Sequence, residues 1–336
     1  MEPSAFLTTV YVIVDDLYRE MYGESVRRRR GRPAKLSDSE VITLSLLARW
    51  LPVSERGFIR FAARYLRPFF PALAQSTFNE RSRRLAPRTG RLAVEAGARL
   101  FELAGRSGAG AMDATCVPLM RRCRGGRAAL FTRAQAWFGR GGSDREAFYG
   151  VKLALLVDEE WLITGFAACA GNVEERWLAE SLLRMGSEPG AALPPAEEME
   201  AVLGPSHKKG GRRKGAPGPV WGAVSGGHQT LLADRGYSGS AWLAHWEQDL
   251  SVRVVVPDNC QQHGVSAREL KSKRQRVETV FRNLKHTFGL DRLRTRGIAG
   301  TQARVAAVIG AHNLSVLANK LFGNLHHPLA LNNPLF

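Results

Sequence analysis

Residues 110–119 read GAMDATCVPL, an apolar run with a single aspartate near its centre. The run around Asp113 predicts a β-strand over residues 111–119, and a carboxylate inside such a strand is costly to bury. Two interpretations stay open at this point. Asp113 either pairs with a buried arginine or belongs to a functional site, where perturbed acids are concentrated.

Further strands and helices follow this run in a definite order. Residues 148–157 (FYGVKLALLV) alternate as a strand does, and residues 161–169 predict the next one. The later predictions are a helix over 172–185, a strand over 229–233, a helix over 239–246, a strand over 252–256, and helices over 266–286 and 301–322. Strands that come first as a meander and then alternate with helices predict an α/β fold, a mixed sheet flanked by helices.

The region before the first strand is predicted to be an all-α domain over residues 1–108. Ser37 and Glu40 have the spacing of a capping box, and a basic helix over 55–66 ends before Pro68. A helix, a short turn and a basic helix resemble a helix-turn-helix. We therefore expect this domain to bind DNA, although many solvated helix pairs have the same pattern.

The second domain is predicted over residues 109–325. Within it, residues 186–227 are rich in Gly, Pro, Lys and Arg, which is typical of a flexible basic insertion. We expect this insertion to contact DNA.

The charge balance points to a polyanionic partner. The chain has 336 residues, 48 Lys and Arg against 31 Asp and Glu, and a formal net charge of +17. With 44% hydrophobic residues it is a folded protein, and nucleic acid is the common partner of such an excess. The four cysteines form no Cys-x-x-Cys pair, which favours reduced thiols and a cytoplasmic protein. No apolar run approaches the length of a membrane span, so no membrane partner is expected.

A second aspartate stands where a predicted core strand ends. Residues 229–239 read QTLLADRGYSG, so that Asp234 opens a glycine-containing turn directly after the strand. A carboxylate in this place is held rigidly and remains accessible. The alternative is that Asp234 only caps the helix that follows.

A third acid, Glu278, lies on the predicted helix over 266–286. Arg274, Glu278 and Lys285 fall within about 40° of one another around the helix axis and share one narrow face. The alternative interpretation is an Arg–Glu pair on a solvated face, worth only about 0.3–0.5 kcal/mol. A carboxylate within this strongly cationic stretch is better explained by metal ions or by phosphate chemistry beside it.

The three acids suit a divalent cation. Mg²⁺ prefers oxygen ligands, and two ions about 3.5–4 Å apart activate an attacking oxygen and stabilise a leaving one. No serine elbow, Cys/His pair or Walker loop occurs in the sequence. The pattern therefore favours metal-dependent phosphoryl transfer.

Five stretches together resemble the DDE transposases of bacterial insertion sequences, whose catalytic domain has the ribonuclease H-like fold. In order, they are MDATCVPL (112–119), FYGVKLALLVD (148–158), AGNVEE (170–175), LLADRGYSG (231–239) and RQRVETVFRNLKHTFGLDRLRTRG (274–297). The spacing of Arg274, Glu278 and Lys285 also matches the Y-(2)-R-(3)-E-(6)-K signature of a subset of these enzymes. Lys271 occupies the Tyr position, which is a departure that affects contacts to the DNA end.

The resemblance implies a function, ligands and partners. It assigns Asp113, Asp234 and Glu278 as catalytic residues that ligate two Mg²⁺ ions, for which Mn²⁺ can substitute. The enzyme would cut and join insertion-sequence ends in double-stranded DNA as a homodimer, in a bacterial cytoplasm and on the nucleoid. The residues expected to contact DNA are Arg274, Lys285, Arg282, Lys271, Arg235 and Tyr237.

Two other functions fit the same residues. A nuclease of this fold would cut DNA without strand transfer, and a decayed transposase would act as a DNA-binding repressor. Four further acids could replace a misplaced member of the site: Asp144, Asp158, Glu175 and Asp258. Most of them lie in predicted turns, where capping or solvation is the ordinary role.

Overall fold

The computed structural model describes residues 3–23, 34–51, 53–103, 109–127, 129–141, 146–187, 219–225, 228–321 and 323. Its contacts divide the chain into two compact units. The helical unit comprises Met1–Leu100 with Asn283–Phe336, and the α/β unit comprises Phe101–Arg282.

The helices and strands follow one another in a sequence close to the predicted one. The helices are α1 (Pro3–Tyr22), α2 (Asp38–Trp50), α3 (Glu55–Tyr65), α4 (Gln75–Leu103), α5 (Arg122–Gly125), α6 (Glu175–Ser187), α7 (Ser240–Asp249), α8 (Ala267–His286) and α9 (Ile298–Leu321). The strands are β1 (Ala109–Met120), β2 (Trp137–Gly141), β3 (Glu146–Val157), β4 (Ile163–Ala170), β5 (Trp221–Val224), β6 (Thr230–Leu232) and β7 (Arg253–Val255). Short 3-10 turns occupy Arg235–Tyr237, Gln261–His263 and Leu290–Arg292.

Two strands of the structure, β2 and β5, were not predicted from the sequence. β2 pairs with β3 and is only half-buried, so it lacks a clear apolar alternation. β5 has four residues and pairs with β4, although it falls inside the stretch predicted as a flexible insertion. The prediction is thus corrected for residues 221–224, while residues 188–218 of that insertion lie outside the described residues.

The helical unit begins with a firmly capped helix. The Ser37 side chain accepts a hydrogen bond from the Glu40 amide at 3.1 Å, and the Glu40 carboxylate accepts one from the Ser37 amide. This confirms the capping box. Arg81 of α4 donates to the Leu36 carbonyl and to Asp38, each at 2.7 Å. These contacts fix the start of α2 against α4.

Helix α9 belongs to the helical unit by its contacts, whereas the sequence analysis grouped it with the second domain. It is buried over most of its length. Its polar residues are satisfied inside the unit, because Ser315 accepts from Trp50 Nε1 at 3.0 Å and Asn313 donates to the Ala93 carbonyl at 2.7 Å. A helix that is apolar on nearly every face needs neighbours on every side, and the N-terminal helices supply them.

The α/β unit is built on one mixed sheet with the strand order β5-β4-β3-β1-β6-β7, to which β2 adds beside β3. β1, β3, β4 and β5 pair antiparallel, and β1, β6 and β7 pair parallel. This is the ribonuclease H-like arrangement that the sequence predicted. None of the described helices has the length and apolar character needed to cross a membrane.

The two faces of the sheet have separate cores. On one face, Met112 and Leu231 pack into a cluster with Leu178 of α6 and Trp246 of α7. On the other face, Leu232 and Val255 pack with Cys260 and with Leu270 of α8. Side chains alternate along a strand. Met112 points to the face covered by α6 and α7, so Asp113, the next residue, points to the face covered by α8.

Candidate active site

The register of the parallel strands brings the two predicted aspartates side by side. Ala109 of β1 pairs with Thr230 of β6, and Ala111 pairs with Leu232, which is an offset of 121 residues. The same offset separates Asp113 from Asp234. Adjacent strands lie about 4.8 Å apart, so the two carboxylates are neighbours where β6 ends. Ligands commonly bind at the carboxyl ends of parallel strands in open α/β sheets.

Asp234 is held by the turn that follows β6. Its side chain accepts a hydrogen bond from the Gly236 amide at 2.7 Å and caps the 3-10 turn at Arg235–Tyr237. The capping interpretation of Asp234 is therefore correct locally. One carboxylate oxygen is used in this way, and the half-exposed side chain leaves the other available for a ligand.

Asp113 is held in a far less polar environment. Burial is the main reason that its pKa rises from 3.8 to about 7. The carboxylates of Asp234 and Glu175 raise this pKa further, while a hydrogen bond from the Ala114 amide at 2.7 Å and the charge of Arg274 lower it. Desolvation and like charge thus outweigh the partners that the protein supplies.

Glu175 joins this pair as a third nearby carboxylate. It is the first residue of α6, and its Oε1 lies 3.3 Å from Lys152 Nζ of β3. A Cβ placed on Gly236 would lie 2.9 Å from Asp234 Oδ1 and 3.4 Å from Glu175 Oε2. The two carboxylates therefore face the same small space above Gly236. From the sequence, Glu175 is predicted only as an acid that could replace a misplaced member of the site.

Tyr237 lies in the core beside these acids. Its side chain is fully buried, and its hydroxyl has no hydrogen-bond partner among the described residues. Burial first, and then the charges of Asp113, Glu175 and Asp234, raise the pKa of Tyr237. The ring packs in the core and is not accessible in this DNA-free structure, and the DNA contact predicted for Tyr237 stays a prediction.

Glu278 forms with Arg274 the exposed i,i+4 pair that the alternative interpretation of the sequence described. The Arg274 Nη2 to Glu278 Oε1 distance is 3.6 Å, and 55% of the Glu278 side chain is exposed. Arg274 is 20% exposed, its Nε is buried without a hydrogen-bond partner among the described residues, and its charge acts on Asp113. Arg274 thus pairs with Glu278 and acts electrostatically on Asp113, whereas Glu278 itself is not among the charges that shift the pKa of Asp113.

The other residues predicted to contact DNA are largely accessible. Arg235 is 77% exposed and lies 3.2 Å from Asp258. Lys271 and Arg282 are exposed on α8, and Lys285 is half-buried on the same helix. Their roles toward DNA stay predictions.

The remaining substitute acids have structural partners or lie elsewhere. Asp158 is buried and accepts from the amides of Glu160 and Leu162 at 2.8 and 2.9 Å, which closes the turn between β3 and β4. Asp258 accepts from the Ser238 hydroxyl at 2.8 Å. Asp144 lies outside the described residues.

The chemistry of the donor set fits a hard divalent cation. Asp113, Asp234 and Glu175 offer carboxylate oxygens, and a cation there would offset the desolvation and the like charges that raise the pKa of Asp113. Within the part of the chain that the structure describes, no three His, Cys, Asp or Glu side chains have converged tightly enough to enclose an ion.

Comparison with known proteins gives one match. Residues 219–314 match the family model described as the transposase DDE domain. This stretch runs from β5 into α9 and includes Asp234 and Glu278, whereas Asp113 precedes it. No curated protein and no solved structure matches the chain. Together with the ribonuclease H-like sheet, the match over these residues supports the resemblance to DDE-type insertion-sequence transposases.

Proposed function

We propose that this transposase cuts and joins insertion-sequence ends by metal-dependent phosphoryl transfer at the site formed by Asp113 and Asp234. The observation that carries the proposal is the register of β1 and β6, which sets two carboxylates beside each other at the end of a parallel pair. The raised pKa of Asp113 adds support, since the protein provides no full counter-charge there.

Asp113 and Asp234 would hold the metal, and Glu278 is proposed as the third acid on the strength of the family signature. Two bound Mg²⁺ or Mn²⁺ ions supply electrophilic stabilisation of the phosphate oxygens and lower the pKa of the attacking hydroxyl or water. Glu175 faces Asp234 across Gly236 and is proposed to orient the second aspartate.

The ion pair between Arg274 and Glu278 has a consequence for this site. A DNA phosphate accepts the planar guanidinium fork of an arginine at two oxygens. When Arg274 turns to a phosphate, it releases the Glu278 carboxylate, which is exposed enough to rotate. DNA binding would thereby complete the set of acids.

Four exposed or half-buried cations are proposed to position DNA around the acids. Arg282, Lys271 and Lys285 lie on α8, and Arg235 lies in the turn after Asp234. Cutting and joining two element ends requires that both be held together, so we propose that the enzyme acts as a homodimer on DNA.

Cleavage of a labelled element end tests the proposal. Asp113→Asn keeps the shape of the side chain and removes its charge, and we expect the rate to fall by about 10³-fold or more. Asp249→Asn is the matched control, because Asp249 is a 61% exposed carboxylate of the same unit that pairs with His245. Cleavage by Asp113→Asn at the control rate would refute the assignment.

The roles of the two glutamates are separated by Glu278→Gln and Glu175→Gln. If Glu278 is the third acid, its substitution lowers cleavage about as far as Asp113→Asn does. Glu175→Gln, which keeps its hydrogen-bonding shape beside Lys152, is expected to cost about tenfold. If Glu175→Gln lowers cleavage more than Glu278→Gln does, Glu175 is the third acid and Glu278 is not.

The same substrate distinguishes the two other functions. A transposase joins the freed 3′ end to a second DNA molecule, whereas a nuclease stops after cleavage and a repressor binds without cutting. Joined product that requires Asp113 and a divalent ion supports the transposase.

A further inference from the structure

The helical unit contains a cleft of about 380 Å³ that is unusually rich in arginine. We call it the arginine cleft. Its charged lining residues are Arg49, Arg83, Arg294, Arg296, Arg304 and Glu55. They come from α2, the first turn of α3, α4, the segment before α9, and α9 itself. Five guanidinium groups against one carboxylate leave a strong local excess of positive charge.

The single carboxylate of the cleft, Glu55, already forms an ion pair with Arg304. Glu55 Oε2 lies 2.6 Å from Arg304 Nη2, and Arg304 also donates to the Leu293 carbonyl. Arg304 is therefore a structural residue of the wall. The other four guanidinium groups have no hydrogen-bond or ion-pair partner among the described residues.

Arg49 is the most informative of the four. Its Nε is buried and has no hydrogen-bond partner among the described residues. Burial is the main cause that lowers the pKa of Arg49 to about 10, and the charge of Arg304 lowers it further, against a smaller opposing effect of Glu55. Arg49 as a whole is half-buried, and a guanidinium whose Nε is buried without a partner among the described residues is unfavourable unless an anion reaches it.

The segment between α8 and α9 is built to present two of the arginines. Arg294 has a φ of +48°, a left-handed conformation that residues with a side chain seldom adopt. The neighbouring Thr295 hydroxyl lies 2.8 Å from the Thr301 hydroxyl, which ties the segment to the first turn of α9. Arg294 and Arg296 are thus held on either side of an anchored residue, and both are exposed.

We propose that the arginine cleft is a binding site for a phosphate group of duplex DNA, separate from the acidic site. Guanidinium forks match phosphate oxygens in geometry, and the cleft has room for one phosphate with its adjoining sugar. A free phosphate offers the same charge. We assign DNA as the occupant, because one phosphate can enter the cleft while its neighbours along the strand lie near the other arginines. This assignment of the partner rests on the proposed function.

Binding of a fluorescently labelled duplex over a range of salt concentrations tests the proposal. The variant Arg83→Gln/Arg294→Gln removes two exposed guanidinium groups, so the fold should persist, and unfolding curves check this. We expect affinity to fall about tenfold or more, and the slope of log K against log salt to decrease by about 1–2. Arg49→Gln should act in the same direction.

The matched control is Arg19→Gln, which removes the same charge from a 63% exposed arginine of α1 that pairs with Asp15. If the cleft variants bind DNA with the affinity and salt slope of this control, the proposal is overturned. Inorganic phosphate forms the second arm. If it raises the thermal stability of the wild type and not of the cleft variants, while duplex binding is equal in both, DNA is the wrong occupant.

These outcomes are independent of the acidic site. Asp113→Asn should bind the duplex with the wild-type salt slope while losing cleavage. The cleft variants test the arginines alone, because their readout is binding. Failure of one assignment therefore leaves the other standing.

Discussion

The acidic site and the arginine cleft show the same physical situation with opposite sign. In the α/β unit, Asp113 is half-buried near other carboxylates, and desolvation raises its pKa to about 7. In the helical unit, Arg49 is half-buried near another arginine, and desolvation lowers its pKa to about 10. Each unit thus gathers like charges that the protein itself does not neutralise. Such clusters of like charge are typical of binding sites, where a ligand of opposite charge neutralises them.

Among the substitutions that leave every charge in place, the largest expected effect comes from filling the space between Asp234 and Glu175. Gly236→Ala puts a Cβ 2.9 Å from Asp234 Oδ1, so the carboxylate must move. A displacement of about 1 Å in a catalytic group costs about 100-fold, and we expect this loss in end cleavage. Gly126→Ala is the control, because nothing lies within 4 Å of its new Cβ and its φ is −66°. Equal rates in the two variants would show that the acids need no close approach at Gly236.

A second effect concerns stability and its dependence on pH. Because the pKa of Asp113 is raised, the folded protein keeps a proton between pH 3.8 and about 7 that the unfolded chain has released. The contribution of this group is full below that window and is lost as pH rises to about 7. Asp113→Asn should therefore stabilise the metal-free protein at pH 8 by about 2 kcal/mol, and by little at pH 4.

Thermal unfolding at both pH values measures this difference, with the exposed Asp16→Asn as control. If Asp113→Asn differs from the wild type by the same free energy of unfolding at pH 4 and at pH 8, the charge of Asp113 does not destabilise the fold.

A third effect is proton-linked metal binding. Since Asp113 must lose its proton to act as a ligand, Mn²⁺ affinity should fall about tenfold for each pH unit below 7 and level off above it. Calorimetric titration in buffers of different ionisation enthalpy measures the released protons. A flat profile from pH 5 to 8 would contradict the assignment of Asp113, and Asp113→Asn should bind too weakly to show the slope.

The smallest effect is expected in the arginine cleft. Arg49→Met keeps most of the side-chain length and removes the buried charge, so in phosphate-free buffer it should leave stability unchanged or raise it by about 1 kcal/mol. Arg19→Met is the exposed counterpart, with an expected change within about 0.5 kcal/mol. A clear loss of stability in Arg49→Met would make the arginine a structural group and would break the parallel with Asp113.

Local sequence patterns were enough for most elements of the fold. The capping box at Ser37 and the strand around Asp113 are both present, because nearest neighbours along the chain supply the stabilising contacts. β2 and β5 were missed since short, half-buried strands gain their stability from pairing with β3 and β4. That information is not contained in their own residues.

The family resemblance singled out Asp113, Asp234 and Glu278, but spacing alone could not place them. The parallel register of β1 and β6 aligns the two aspartates, and the start of α6 brings Glu175 toward them. Tyr237 illustrates the limit most clearly. The resemblance implied that Tyr237 contacts DNA, whereas the packing of α6 and α7 on the sheet buries its ring fully.

By itself, the sequence determined most of the secondary structure and the excess of positive charge, since these follow from residue type and short-range periodicity, and its resemblance to a family singled out the three acids. The tertiary structure decided which charges meet: Glu175 with Asp234, and Arg49 with residues more than 200 positions away. Pairing across a sheet and packing between distant helices depend on how the whole chain closes its core. The uncompensated charges that mark both proposed sites therefore appear only in the folded molecule.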